Sequence, residues 1–139
     1  MAAPQRPPTF AAYPAREIYA GPRATPKLRP RTDAWRFRTR IRQIARQKLN
    51  FAGHYCLGSW GCGSECLHFA IVDARTGSVY YRQDLSCDYA WGLHHRDVAT
   101  PIAFQLTSRL LVLDCALGAS AEVKPHYYQF AHGRLVPVP

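Results

Sequence analysis

The sequence predicts an α+β fold: an antiparallel, strongly bent β-meander of about five to seven strands covered by one N-terminal amphipathic helix. Three observations carry that expectation. An apolar stripe with three-and-four spacing precedes residue 48. From Phe51 onward, short runs rich in β-branched and aromatic residues replace it, and the turns between them are too short for crossover helices. The length, 139 residues with 47% hydrophobic and 19% charged, suits one domain that buries a core. A disordered polyelectrolyte has a different composition.

The helix is expected over residues 33–48. Thr32 or Asp33 is placed to cap it, and Ala34, Phe37, Ile41, Ile44 and Ala45 fall on one face. Arg36, Arg38, Arg40, Arg42 and Arg46 take the rest of the circumference, with their stems along the stripe and their guanidinium groups in water. Strands are expected at residues 51–58, 67–73, 78–83, 102–105, 109–115 and 127–130. The turn signals between them include Asp73-Ala-Arg-Thr-Gly77, Thr107-Ser108 and His132-Gly133. The expected organisation is a Pro-rich basic arm over residues 1–30 and a single α+β domain over 31–139, with the sheet within 51–136. Seven of the eleven prolines lie in that arm. Arg16-Glu-Ile-Tyr-Ala20 could add one edge strand to it.

Charge is distributed unevenly. The net formal charge is +9, yet residues 1–48 alone carry twelve Lys/Arg against Glu17 and Asp33, and the remainder is close to neutral. A basic segment with Tyr13, Tyr19, Trp35 and Phe37 could grip nucleic acid or another polyanion. No base-reading motif accompanies it, and Phe37 belongs to the apolar stripe, so nucleic acid is the less favoured partner. No run approaches the ~18 apolar residues that a membrane-spanning helix needs.

Five cysteines, at 56, 62, 66, 87 and 115, are the most informative feature. In the covalent reading, glycines on both sides of Cys62 permit the short ring that a Cys62–Cys66 bridge requires, and Cys87 reaches Cys56 or Cys115. One thiol must then remain. In a metal reading, Cys56, Cys62 and Cys66 with His68 or His54 supply four ligands, although a lone Cys-x3-Cys lacks the second knuckle of a structural zinc site. In a catalytic reading, strand partners whose numbers sum to 124 set Cys56 opposite His68, a thiolate beside an imidazole. That register is assumed and no third orienting group is evident.

The stretch from Asp84 to Asp97 gathers Cys87, Asp88, Tyr89, Trp91, His94 and His95, and is the preferred binding surface together with Trp60. The alternative is a satellite cluster in which Tyr89 and Trp91 fold back under the loop.

The segments Asn50-Phe-Ala-Gly-His-Tyr55, Trp60-Gly-Cys-Gly63 with Cys66, Ile71-Val-Asp-Ala-Arg-Thr-Gly-Ser-Val-Tyr80 and Ser108-Arg-Leu-Leu-Val112 resemble a family of small bacterial proteins that typically carry a cleavable export signal. The resemblance spans roughly residues 13–130 and brings no activity with it. It implies a periplasmic or secreted location, in keeping with disulfides. Met1-Ala-Ala-Pro opens a proline-rich arm where an apolar signal segment would stand, so the expectation is an exported chain whose signal has been removed, with a cytoplasmic member as the alternative. Taken together, these readings favour a non-enzymatic envelope protein, inhibitor-like or immunity-like, that needs no cofactor and binds another protein or an anionic envelope polymer. A Cys56/His68 hydrolase or transferase is the enzymatic alternative.

Overall fold

A computed structural model describes residues 6–89, 101–118, 120 and 122–139. Its centre is a curled antiparallel sheet. The strands are β1 (Tyr55–Gly61), β2 (Cys66–Asp73), β3 (Val79–Tyr80), β4 (Cys87–Asp88), β5 (Ile102–Ala103), β6 (Leu110–Leu117), β7 (Lys124–Ala131) and β8 (Arg134–Pro137). They run in the order β1-β2-β4-β6-β7-β8, with β3 on β2 and β5 on β6. One short helix, α1 (Arg38–Ala45), packs on β1 and β2.

The β1–β2 hairpin explains the apolar run of β2, because it is buried on both faces. Alternate residues point opposite ways. Leu57, Phe69 and Ile71 enter one core with Phe51, Leu111, Leu113 and Phe130. Cys56, Trp60, Ala70 and Val72 enter a second core with Ile41 and Ile44 of α1. Gly58 makes the close approach of α1 feasible, since a Cβ there would lie 2.5 Å from Ile44 Cγ1.

The helix is shorter than the expected 33–48. Asp33–Phe37 forms a 3-10 segment and α1 starts only at Arg38. The expected cap is not made: Thr32 Oγ1 donates to Arg29 O at 2.7 Å instead of capping the following residues. The apolar stripe nevertheless reaches its core, through buried Ile41 and Ile44 with Ala34, Phe37 and Ala45 packed beside them.

Several strand boundaries move. Phe51–His54 is a tight turn and not the start of a strand, with Ala52 and Gly53 at φ 49° and 86°. Asn50 fixes that turn by bonding both polar groups of Leu57, accepting its N–H at 2.7 Å and donating to its carbonyl at 2.9 Å. Of residues 78–83 only Val79–Tyr80 pairs, followed by a 3-10 turn at Gln83–Leu85. The pairs at Cys87–Asp88 and Arg134–Pro137 were not anticipated as separate strands.

From residue 6 onward, the proline-rich arm lies along the sheet. Its backbone bonds are made one at a time, because the prolines remove the regular donors a ladder needs. Ala15, Tyr19, Ala24 and Lys27 donate N–H groups to Thr107, Gly53, Ala74 and Gly77, each within 2.8–2.9 Å. Residues 16–20 form no strand, and among the described residues of the arm the single ladder contact is the isolated bridge Pro14↔Ser108. Buried Ser108 anchors the arm, its Oγ 2.8 Å and 2.9 Å from the carbonyls of Phe10 and Tyr13.

Candidate binding surface

The hairpin has two chemically different ends. At the tip, β1 and β2 are joined by Cys62-Gly-Ser-Glu-Cys66, and a disulfide links Cys62 to Cys66. Gly63 and Glu65 take positive φ, 132° and 58°, so the five-residue ring closes without forcing β-branched residues into that region. A second disulfide joins Cys87 to Cys115, tying β4 to β6. Cys56 is the free thiol.

These bridges remove the metal alternative. With Cys62 and Cys66 bonded to each other, their thiolates are unavailable, and Cys56, Cys62, Cys66 and His68 do not assemble as ligands. Among the described residues no group of three His, Cys, Asp or Glu side chains is placed to hold a metal.

The catalytic alternative fails on register. Ladder partners sum to 128, not 124: Cys56 faces Val72, and His68 faces Trp60. Cys56 and His68 share a face but stand four positions apart, roughly 13 Å at the usual strand rise. Cys56 is fully buried, and burial pushes its thiol up despite the partly opposing charge of Arg23, whose Nη1 lies 3.4 Å from Sγ. A thiol held protonated in the core is a poor nucleophile.

The residues expected to bind are placed differently from an open loop. Asp88 lies in β4, half-buried and paired with Cys66 on one side and Ala116 on the other. Tyr89 donates its N–H to Glu65 O at 3.0 Å and packs its ring against the main core. The cysteine ring and the start of the 84–97 stretch are therefore joined at one end of the sheet. Trp91, His94 and His95 lie outside the described residues.

Trp60 is 7% exposed, the centre of an aromatic cluster more than a recognition surface. Its ring stacks on Tyr81 at 5.8 Å, with Phe37 at 5.1 Å and its partner His68 at 5.8 Å. Burial, reinforced by the nearby charge of Arg36, pushes the His68 imidazole below its ordinary value, favouring the neutral ring. Trp60 Nε1, His68 Nδ1 and Tyr81 Oη are buried without a hydrogen-bond partner. Exposed polar surface at this end comes instead from Gly61, Gly63, Ser64 and Glu65.

At the opposite end of the hairpin, Tyr55 faces Asp73, and His54, one of the metal alternatives, bonds Asp73 instead. Sequence reasoning missed this pair because an assumed register of 124 hides it. The signal was present: Asp73 opens the Asp-x-x-x-Gly turn, and His54 immediately precedes the strand that pairs with it. Tyr81 carried no such signal. No family model, curated protein or solved structure matches this chain.

Proposed function

We propose that the protein is an exported, non-enzymatic binding protein of the bacterial envelope, inhibitor-like or immunity-like, that presents the Cys62–Cys66 tip and the adjoining end of β4 to another protein. The observation that carries this reading is the bracing of that end of the sheet by two disulfides and the Tyr89–Glu65 bond. Rigidity in the free state lowers the entropic cost of association. Two disulfides point to an oxidising compartment, and the resemblance to exported proteins supports a periplasmic or secreted location. Among the described residues no helix is long and apolar enough to cross a membrane.

The test is capture from an envelope extract at moderate salt, comparing the native chain with a Ser64→Arg/Glu65→Arg variant that alters only exposed tip residues. The native chain should retain a stoichiometric partner that the variant loses. Equal recovery by both, or recovery by neither, counts against the reading.

A second reading, polyanion binding through the basic N-terminal 48 residues, is favoured by two contacts on one ring. Arg38 and Arg42 hold their guanidinium carbons 4.7 Å and 6.0 Å from the Trp35 ring centroid, an arrangement that combines charge with a stacking surface. It predicts affinity that falls steeply with salt.

A further inference from the structure

The lower end of the β1–β2 hairpin holds a cavity of about 610 Å³, within the range of small-molecule sites. The arm forms one wall through Arg16 and Glu17; Arg75, Arg109, His54 and His132 line the others. Three arginines and one acidic residue thus line it. That carboxylate is poorly matched, since Glu17 Oε1 is 3.9 Å from Arg75 Nη1 and both side chains are at least half exposed.

Two of the cationic and polar groups are pre-positioned. Arg109 Nη1 donates to Gln129 Oε1 at 2.6 Å while its guanidinium lies 5.6 Å from the Tyr13 ring centroid. His54 Nδ1 is 2.8 Å from Asp73 Oδ1, which also accepts the Arg75 N–H at 2.9 Å. An ionised carboxylate can only accept, so Nδ1 carries the proton and Nε2 is the ring atom left for a ligand. Burial opposes ionisation of Asp73, but the bonds from His54, the Arg75 N–H and Thr76 outweigh it and hold the carboxyl below its ordinary value.

A second cavity of about 250 Å³ adjoins the first across Tyr55, Phe130 and His132, and is edged by Thr76, Ser78 and Tyr80. Tyr55 stands between them, edge-on to Phe130 at 4.7 Å. Burial first, then the Asp73 charge, pushes its phenol up to about 12, so it remains a hydrogen-bond donor. His132 is brought to the rim by the two-residue β7–β8 turn, in which it and Gly133 take φ 54° and 75°, the geometry of a type I′ hairpin.

We infer that this double cavity is a binding site for a small molecule bearing an oxyanion, carboxylate or phosphate, with Arg75 and Arg109 receiving the charged group and a hydroxylated body reaching the chamber beyond Tyr55. Arginine suits both oxyanions because its fork donates two parallel bonds. The site is at the far end of the hairpin from the braced tip and is independent of any protein partner there.

Calorimetric titration of the full chain with inorganic phosphate, with citrate and with glucose tests it. One or both oxyanions should bind saturably at one per chain, the identity of the tighter one separating phosphate-bearing from carboxylate-bearing ligands, and glucose should give no saturable heat. Arg75→Gln and Arg109→Gln should each weaken binding about tenfold. Arg75 is half exposed on a turn, so its variant keeps the test valid if Arg109→Gln unfolds. No saturation by either oxyanion, glucose binding as tightly, or an affinity unchanged in Arg75→Gln overturns the inference.

Discussion

Trp60 and His68 face each other across the β1–β2 ladder with ring centroids 5.8 Å apart, and each buries a nitrogen that has no hydrogen-bond partner. Tyr81 adds a third such atom to the same cluster. A buried polar atom left unbonded forfeits its hydration, a cost of about 1–3 kcal/mol.

Tyr81→Phe removes the orphan hydroxyl and keeps the ring that stacks on Trp60. It should leave stability unchanged or raise it by up to about 1 kcal/mol, read as an increased urea midpoint at constant slope. Trp60→Ala deletes the centre of the cluster and should cost about 3–5 kcal/mol. A clear loss of stability in Tyr81→Phe would mean that the hydroxyl is bonded in the native protein.

The disulfide pattern predicts a thiol count. Unreduced protein in denaturant should show one reactive thiol, Cys56, and the native protein should show none at neutral pH because Cys56 is buried and its thiol is pushed up. Ellman titration before and after denaturation measures both. The Cys87–Cys115 bridge spans 28 residues and the Cys62–Cys66 bridge spans 4. On the chain-entropy account, deleting the first costs about 3.5 kcal/mol and the second about 2 kcal/mol. A greater loss from Cys62→Ala/Cys66→Ala than from Cys87→Ala/Cys115→Ala would contradict that ordering.

The apolar stripe over Ile41 and Ile44 was legible in the sequence because a helix repeats its buried face every three or four residues whatever it packs on. The parity of β1 and β2 was legible for the same reason, with a period of two. Register was not: Cys56 meets Val72 because of where the Cys62–Cys66 turn closes, and a shift of four positions preserves every side chain's face. Parity therefore placed Cys56 and His68 on one face correctly and opposite each other wrongly. Asp88 was read as loop because a two-residue strand has no period to detect; its place in the sheet comes from long-range pairing with Cys66 and Ala116. The His54–Asp73 pair escaped through the same error in register.

Contact between α1 and the hairpin is tight enough to test by a double-mutant cycle. Gly58→Ala places a methyl 2.5 Å from Ile44 Cγ1 and should cost about 1–3 kcal/mol by overpacking. Ile44→Ala alone should cost about 2–5 kcal/mol, but in the Gly58→Ala background the new methyl fills part of the space, so the two losses should sum to more than the double mutant shows. Chemical denaturation of the four proteins gives the coupling, and strict additivity would place α1 farther from β1.

Acid should destabilise the protein in two stages. Burial lowers the His68 and His126 values from 6.5, so the unfolded chain takes up those protons more readily than the folded one. Stability is therefore highest above about pH 6.5 and declines as pH falls below it. Asp73 is also lowered, from 3.8; the stability from its bonds to His54, Arg75 and Thr76 is complete above the unfolded value and is lost as pH falls through the folded one. Urea midpoints from pH 8 to pH 3 should show a first decline near pH 6 and a second below about pH 4. His126→Gln should shrink the first, because Nε2 is buried without a partner and its protonation no longer drives unfolding. Asp73→Asn should lower the plateau at neutral pH and shrink the second decline. A native midpoint that stays flat from pH 7 to pH 5 would show that the two imidazoles are solvated in the folded protein.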